Sequence, residues 1–358
     1  MTNSTELRER FAAARAQGKR HKDAAAACGV SEGEAVAAHA GEHDGTLQAA
    51  PLRGPWIELL KSLEACGPLL ALTRNEGVVH EKTGVYRNLS ATGPIGLALG
   101  EEIDLRLFFA QWHAGFAVTE AAANRSNPPS MSLQFFDAHG TAVHKIFARE
   151  GSDRVALASI ATVFAADAAT AVFRRAEAPA AQKPDSSFDC RALGKAWSEM
   201  TDTHQFFGLL KQFGVERQQS FRLMEGRYAW RVAPQALRDL LYAASFGGAP
   251  IMVFVGSPGC IQIHTGPVTR IEPLEVHGMK WLNVLDEGFN LHLREDLVAG
   301  TWIVEKPTSD GVVTSVEAFD GEGGLMAMFF GARKPGVPER EDWRTLVRGL
   351  PRLAKAEA

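Results

Sequence analysis

The sequence predicts an α+β protein made by internal duplication: two similar halves, each a large antiparallel β-sheet covered by helices on one face. Three observations point there. The 358 residues suffice for two domains or one large duplicated fold, and 46% of them are apolar, enough to bury a large core. Segments recur in the same order in both parts of the chain. "IELLKSLEACGPLLALTRNEGVVHEKTG" lines up with "LRDLLYAASFGGAPIMVFVGSPGCIQIHTG". "IDLRL" (103–107) matches "FNLHL" (289–293), "AGFAV" (from 114) matches "AGTWIV" (from 299), and "SLQFFDAHG" (from 132) matches "SVEAFDGEG" (from 315). Finally, runs such as "IDLRLFF" and "SLQFFD" alternate with the period of a strand that turns one apolar face inward. A large ligand would sit naturally between two such halves.

The elements follow in order. Residues 1–50 read as a helical N-terminal cap, with "LRERFAAARAQG", "HKDAAAACG" and "SEGEAVAAHAG" as short helices. "DAAAACGVSEGEAV" resembles a helix-turn-helix in outline, but its second helix carries Glu32 and Glu34 and no Lys or Arg, unlike a DNA-reading helix. Residues 51–166 form the first repeat half, a helix at "PWIELLKSLEACG" followed by strands. Residues 167–189, rich in Ala and holding "EAPAAQKPDSS", read as a linker. Residues 190–358 form the second half, ending in a short helix within "KPGVPEREDWRTLVRGLPRL".

Composition excludes several classes. A net charge of −4 argues against a general nucleic-acid or anionic-membrane binder. Cys28, Cys66, Cys190 and Cys260 are scattered without zinc spacing, as expected of free thiols in a reducing compartment. "MTNSTELRERF" lacks an apolar signal core, and no apolar run of membrane-spanning length follows. The expectation is a soluble cytoplasmic protein, not an integral membrane one.

One stretch poses a chemical question. In "TDTHQFFGLLKQFGVER" (201–217), Phe206, Leu209, Leu210 and Phe213 recur at helical spacing, and Gly214 stops the helix. Asp202 reads as N-cap, with Gln205 completing a capping-box-like pair. His204 then falls near the second helical position, where the helix dipole disfavours an imidazolium. It is either a surface histidine beside a cap or a neutral electron-pair donor, for example to a metal. The halves differ here: the helix preceding the first half has no counterpart of His204. Arg106 corresponds to His292, and His80 to Gln262. If Leu105 and Leu107 face the core, Arg106 faces the opposite side of its strand, toward solvent or a cleft.

Together "TDTHQFFGLLKQFGVER", "TRNEGVVHEKTGVY", "EEIDLRLFFAQWHAGFAV", "LHLREDLVAGTWIVEKPTSDGVVTSVEAF" and "FFGARKPGVPE" resemble the bacterial cytoplasmic hemin-transport and hemin-degrading proteins of the HemS/HmuS type. The resemblance spans roughly residues 5 to 345. It implies a duplicated fold with heme held in a cleft between helix and sheet. It implies His204 as axial ligand of the heme iron, and Arg106 on the opposite face as a hydrogen-bond donor, with a catalytic role if heme is degraded. A guanidinium stays protonated and donates rather than ligates. By motif position Arg217, Lys306 and Arg333 are the candidate partners of the propionates, each alternatively a surface charge. Phe108, Phe207, Phe329 and Phe330 are candidates for packing on the porphyrin, or plain core. Met328 stands where many members of the family place a glutamine, and reads as an apolar wall. His80 is a possible second heme contact; Cys66 and Cys260 are assigned to packing. The implied function is heme uptake: carrying imported heme from a heme ABC importer to a downstream acceptor, degrading it to release iron, or both. A strictly non-enzymatic carrier or storage protein is the alternative. A heme-responsive DNA-binding regulator is a third class, opposed by the acidic second helix.

Overall fold

The computed structural model describes residues 4–122, 124, 126–167, 171–177, 181–334 and 336–354. The first half carries α1 (Ser4–Ala16), α2 (His21–Ala27), α3 (Glu32–Ala37), β1 (Leu47–Leu52), α4 (Trp56–Ser62), β2 (Leu69–Arg74), β3 (Val78–Gly84), β4 (Leu89–Thr92), β5 (Ile95–Leu99), β6 (Asp104–Phe108), β7 (Ala114–Glu120), β8 (Ser130–Phe136), β9 (Ala142–Ala148) and α5 (Arg154–Val163). The second half repeats that order. It carries α6 (Cys190–Ser198), α7 (Gln205–Phe213), α8 (Arg217–Leu223), β10 (Ala229–Val232), α9 (Ala236–Gly247), β11 (Ile251–Gly256), β12 (Cys260–Gly266), β13 (Ile271–Val276), β14 (Met279–Asp286), β15 (Phe289–Arg294), β16 (Gly300–Thr308), β17 (Gly311–Phe319), β18 (Leu325–Gly331) and α10 (Glu341–Arg348).

The described strands belong to two antiparallel sheets of nine strands each, and the duplication is legible in their order. The run β1-β7-β8-β9-β2 recurs as β10-β16-β17-β18-β11, and β6-β5-β4 recurs as β15-β14-β13. The chain divides into two compact units. Unit 1 comprises Met1–Arg74, His80–Glu177 and Gly256–Gln262; unit 2 comprises Asn75–Val79, Ala178–Val255 and Ile263–Ala358.

Each unit has helices on both faces of its five-strand run, where the sequence pattern leads one to expect helices on a single face. In unit 1, α1–α3 pack on one face through Phe11, Ala24 and Val36 against Leu47, Phe116 and Phe136. On the other face, α4 and α5 pack Leu59, Leu60 and Leu157 against Leu133, Phe135 and Ile146. Residues 4–37 thus fill in unit 1 the place that α6–α8 fill in unit 2, where Trp197, Phe206 and Phe221 cover Trp302, Val304 and Phe319. There α9 and α10 cover the reverse face at Ile303, Val316 and Phe329. The physical reason lies in the central strands: β8, β9 and β17 are buried almost continuously instead of alternately, as strands covered on both faces are. In the linker, residues 168–170 and 178–180 lie outside the described residues. Residues 171–177 form neither helix nor strand, and Phe173 packs edge-on against Phe136 and His113.

Unit 1 buries two polar groupings. His144 sits between the Tyr86 hydroxyl (2.8 Å from Nε2) and the Thr73 hydroxyl (2.9 Å from Nδ1). Burial pushes its imidazole down to about 3. Glu32, the first residue of α3, binds both Lys145 and Arg74. Burial alone would raise its carboxyl, but the charges of Lys145 and Arg74 outweigh that and hold it at about 2. The sign of the pH dependence follows. Between 6.5 and about 3 the unfolded chain takes up a proton that buried His144 refuses, and below 4.5 it takes up one that Glu32 refuses. The thermal midpoint should therefore decline gently as pH falls below about 6.5 and steeply below about 4.5. In His144→Gln the gentle limb should shrink to the smaller part contributed by His39, whose imidazole burial also pushes down, as a calorimetric pH series would show.

Candidate functional site

His204 is presented by the start of α7. Leu209 and Leu210 anchor that helix in the core, and Gly214 ends it in the left-handed conformation (φ 59°). The helix begins at Gln205, so His204 is its N-cap and Asp202 lies outside it. The expected capping pair still forms around this start, and the Asp202 carboxylate serves both the backbone and the side chain of His204. Its Oδ1 accepts from the His204 backbone N–H (2.8 Å) and lies 2.6 Å from Nδ1. The Gln205 side chain accepts from the backbone N–H groups of Thr201 (2.8 Å) and Asp202 (3.3 Å), the second being the expected reciprocal capping contact.

This geometry sets the chemistry of the imidazole. An ionised carboxylate only accepts, so Nδ1 carries the proton and the lone pair sits on Nε2. The backbone and imidazole donors of His204 hold the Asp202 carboxyl below its ordinary value, and the Arg333 guanidinium adds to the effect. The side chain of His204 is 89% exposed. An exposed imidazole oriented through one ring nitrogen by a carboxylate, with the other nitrogen turned outward, is an arrangement proteins use to ligate metals.

The surface around it suits a flat apolar ligand with an anionic edge. Phe207, three residues on and hence on the same helix face, is 75% exposed. Gly208, one turn on, has no protein atom within 4 Å of where a Cβ would lie, so packing in the protein does not demand a glycine there. A glycine inside a helix costs about 1 kcal/mol relative to alanine. A ligand approaching this face closely would account for it. Gly208→Leu should therefore raise the stability of the ligand-free protein while weakening ligand binding, as paired melting and binding curves would show. Arg333, just past β18, carries a buried Nη1 with no hydrogen-bond partner. That nitrogen has lost water without gaining an acceptor, and a ligand carboxylate would satisfy it.

The other cations expected at the site have a different standing. Lys306 on β16 is 2% exposed, with its Nζ 2.9 Å from Glu317 Oε1 and 4.9 Å from the centre of the Phe206 ring. Arg217, the first residue of α8, donates through Nε (2.6 Å) and Nη2 (2.9 Å) to the same carboxylate. Its Nη2 also lies 3.2 Å from the Met328 sulfur. Burial by itself would raise the Glu317 carboxyl; Arg217 and Lys306 reverse that and hold it well below the usual carboxylate range. Burial pushes the Lys306 amine down to about 8. Met328 is opposite Glu317 on the neighbouring strand, and Phe330 lies on the same side, 6.0 Å from the Lys306 Nζ. Phe329 points the other way, into the α9–α10 core.

Asp202, His204 and Arg333 thus come together, as do Arg217, Lys306, Glu317 and Met328, all in unit 2. Arg106 and Phe108 belong to unit 1. On β6, Leu105 and Leu107 are fully buried and alternate with Arg106, which pairs with Asp104 and with the Leu105 carbonyl. His80 on β3 is wholly buried. Cys66 and Cys260 are core residues whose thiols burial pushes up to about 11 and about 12, as expected of inert buried cysteines. Sequence reasoning missed Glu317. Its signal was the mismatch between "SLQFFD" and "SVEAFD", which sets Gln134 against Glu317 at equivalent register positions.

The family model described as the haemin-degrading HemS.ChuX domain matches the chain twice, over residues 29–164 and 214–350. The hemin transport protein HemS of Yersinia enterocolitica is 37% identical over 97% of this chain and 98% of its own length. The structure of holo-PhuS, a heme-binding protein from Pseudomonas aeruginosa, matches with a TM-score of 0.91 at 44% identity, covering 98% of this chain and 99% of that one. The Escherichia coli O157:H7 heme degrading enzyme ChuS matches with a TM-score of 0.88 at 34% identity, covering 97% and 99%.

Proposed function

The chain belongs to the haemin-degrading HemS family, and from that premise we propose that it binds one heme per chain in unit 2, with His204 as the axial ligand. Its role is in bacterial heme uptake, on the cytoplasmic side of a heme importer, handing heme to an acceptor. The observation that carries the assignment is the pairing of His204 with Asp202, which leaves an exposed Nε2 lone pair at the head of α7. Arg333 and Arg217 receive the propionates, with Arg333 the one whose buried nitrogen still lacks an acceptor. Phe207 and Phe330 contact the ring, and Met328 supplies an apolar neighbour. No helix among the described residues is long and apolar enough to cross a membrane.

The exposure of His204 favours handover, since a partner can reach the ligand without opening the core. The similarity to ChuS, a heme degrading enzyme, motivates the second reading, degradation with release of iron. Incubating the heme-loaded protein with reductant in air, with catalase present, separates them. A stable Soret band, with transfer to an apo-acceptor, supports the carrier. Loss of the band with a linear tetrapyrrole and free iron supports the enzyme. Arg106→Ala should leave the fold intact, because its strand is held by Leu105 and Leu107. It should keep the His204 ligation and shift the pH dependence of the ferric spectrum upward; an unchanged titration would return Arg106 to a strand residue paired with Asp104.

A further inference from the structure

Heme binding does not explain Glu317. A carboxylate in the middle of β17, with no exposure to solvent, holds four short contacts: Arg217 Nε and Nη2, Lys306 Nζ, and the Ser315 hydroxyl at 2.8 Å. The fold does not require a charge there. In unit 1 the equivalent residue is Gln134, whose amide donates to Ser132 (3.0 Å) and whose Oε1 is buried without a partner. The acidic partner in unit 1 comes instead from Glu32, the first residue of α3 and the counterpart of Arg217 at the start of α8, each three residues after a left-handed glycine. The two halves have exchanged charges between helix and sheet. In unit 2 that exchange uses up the two cations that stand beside Phe206, Met328 and Phe330.

We propose that Glu317 is a specificity-determining residue: an internal carboxylate, already bound to Arg217 and Lys306, with which the carboxylates of a dicarboxylate tetrapyrrole must compete. The inference rests on the heme reading above. A bidentate Arg–carboxylate pair is among the stronger hydrogen-bonded contacts in proteins. Glu317 takes the Nε–Nη2 edge of Arg217 and fixes Lys306 in the interior, so a ligand meets the remaining edge of Arg217 and the unpartnered Nη1 of Arg333. Affinity is thereby kept below what three free cations would give, which suits a protein that must release its cargo.

The test separates carboxylate from ring. Ferric heme and its dimethyl ester, in which both propionates are blocked, are titrated into wild type and Glu317→Gln. The variant keeps the side-chain volume and removes the competing charge. Heme binding should tighten about ten-fold or more, the worth of a charge-assisted hydrogen bond, while ester binding stays unchanged. Equal changes for heme and ester, or weaker heme binding, would overturn the proposal. Circular dichroism checks the fold. If the two uncompensated cations unfold Glu317→Gln, the double variant Lys306→Met/Glu317→Gln removes the Lys306–Glu317 ion pair together and leaves Arg217, the one remaining cation, to the ligand. Its preference for heme over ester should still exceed that of wild type, and an unaltered preference would overturn the proposal. Wild type that takes up no ferric heme would refute the heme reading itself, and that result is seen before any variant is compared.

Discussion

His204→Ala is expected to weaken ferric heme binding more than any other single histidine substitution and to change the ferric spectrum. The side chain lies outside the packed core, so the fold should survive: α7 is held by Phe206, Leu209 and Leu210, none of which contacts solvent appreciably. What is lost is the only imidazole among the described residues that is both exposed and held by a carboxylate at 2.6 Å. Asp202→Asn offers a graded version. It keeps the shape but lets Nδ1 lose its preferred acceptor, and losing the hydrogen-bond partner of a metal-ligating imidazole typically costs roughly 10- to 100-fold in metal affinity. His204→Ala should cost more than that, with an unchanged melting temperature for the ligand-free protein. Equilibrium titration followed at the Soret band measures both.

Glu32→Gln is expected to destabilise unit 1 by about 3–5 kcal/mol, the cost of leaving buried charge uncompensated. Lys145 is 5% exposed and has no carboxylate other than Glu32 within ion-pair distance among the described residues. Arg74, on β2, is held by the same carboxylate. The comparison with Glu317→Gln is instructive because the two positions serve the same purpose in the two halves. In unit 1 nothing in the site proposal replaces the lost charge, so added heme should not restore the melting temperature of Glu32→Gln. In unit 2, on the proposed reading, the ligand's own carboxylates would replace it. Chemical denaturation of the two variants, with and without heme, reads the difference directly.

Much of this was legible in the sequence. The duplication is real at the level of strand order, because the matched segments carry the same alternation and the same glycine stops. His204 stood out because a histidine at a helix start needs a reason, and Asp202 was already visible two residues away. The details that escaped share a cause: they depend on which groups burial brings together. The sheets were expected to be covered on one face, yet β17 is buried on both, and "SVEAF" does not say so because its glutamate and serine look like a solvent side. Glu317, Lys306 and Arg217 are 11 to 100 residues apart in sequence and meet only when α8 lies against β16 and β17. The regular part of α7 starts at Gln205, and the Asp202 carboxylate serves both the backbone N–H of His204 and its imidazole, a double use that spacing alone does not reveal. The Cys66 and Cys260 assignments to packing held, since both thiols are enclosed by core side chains.

The central claim is that heme binds at a single site built on His204 in unit 2. A titration of ferric heme into wild type, His204→Ala and His80→Ala, with the Soret band read at each addition, tests it most directly. The account predicts an endpoint at one heme per chain for wild type, an altered spectrum and much weaker binding for His204→Ala, and near wild-type behaviour for His80→Ala. Two equal tight sites in wild type, or a larger effect from His80→Ala than from His204→Ala, would contradict it.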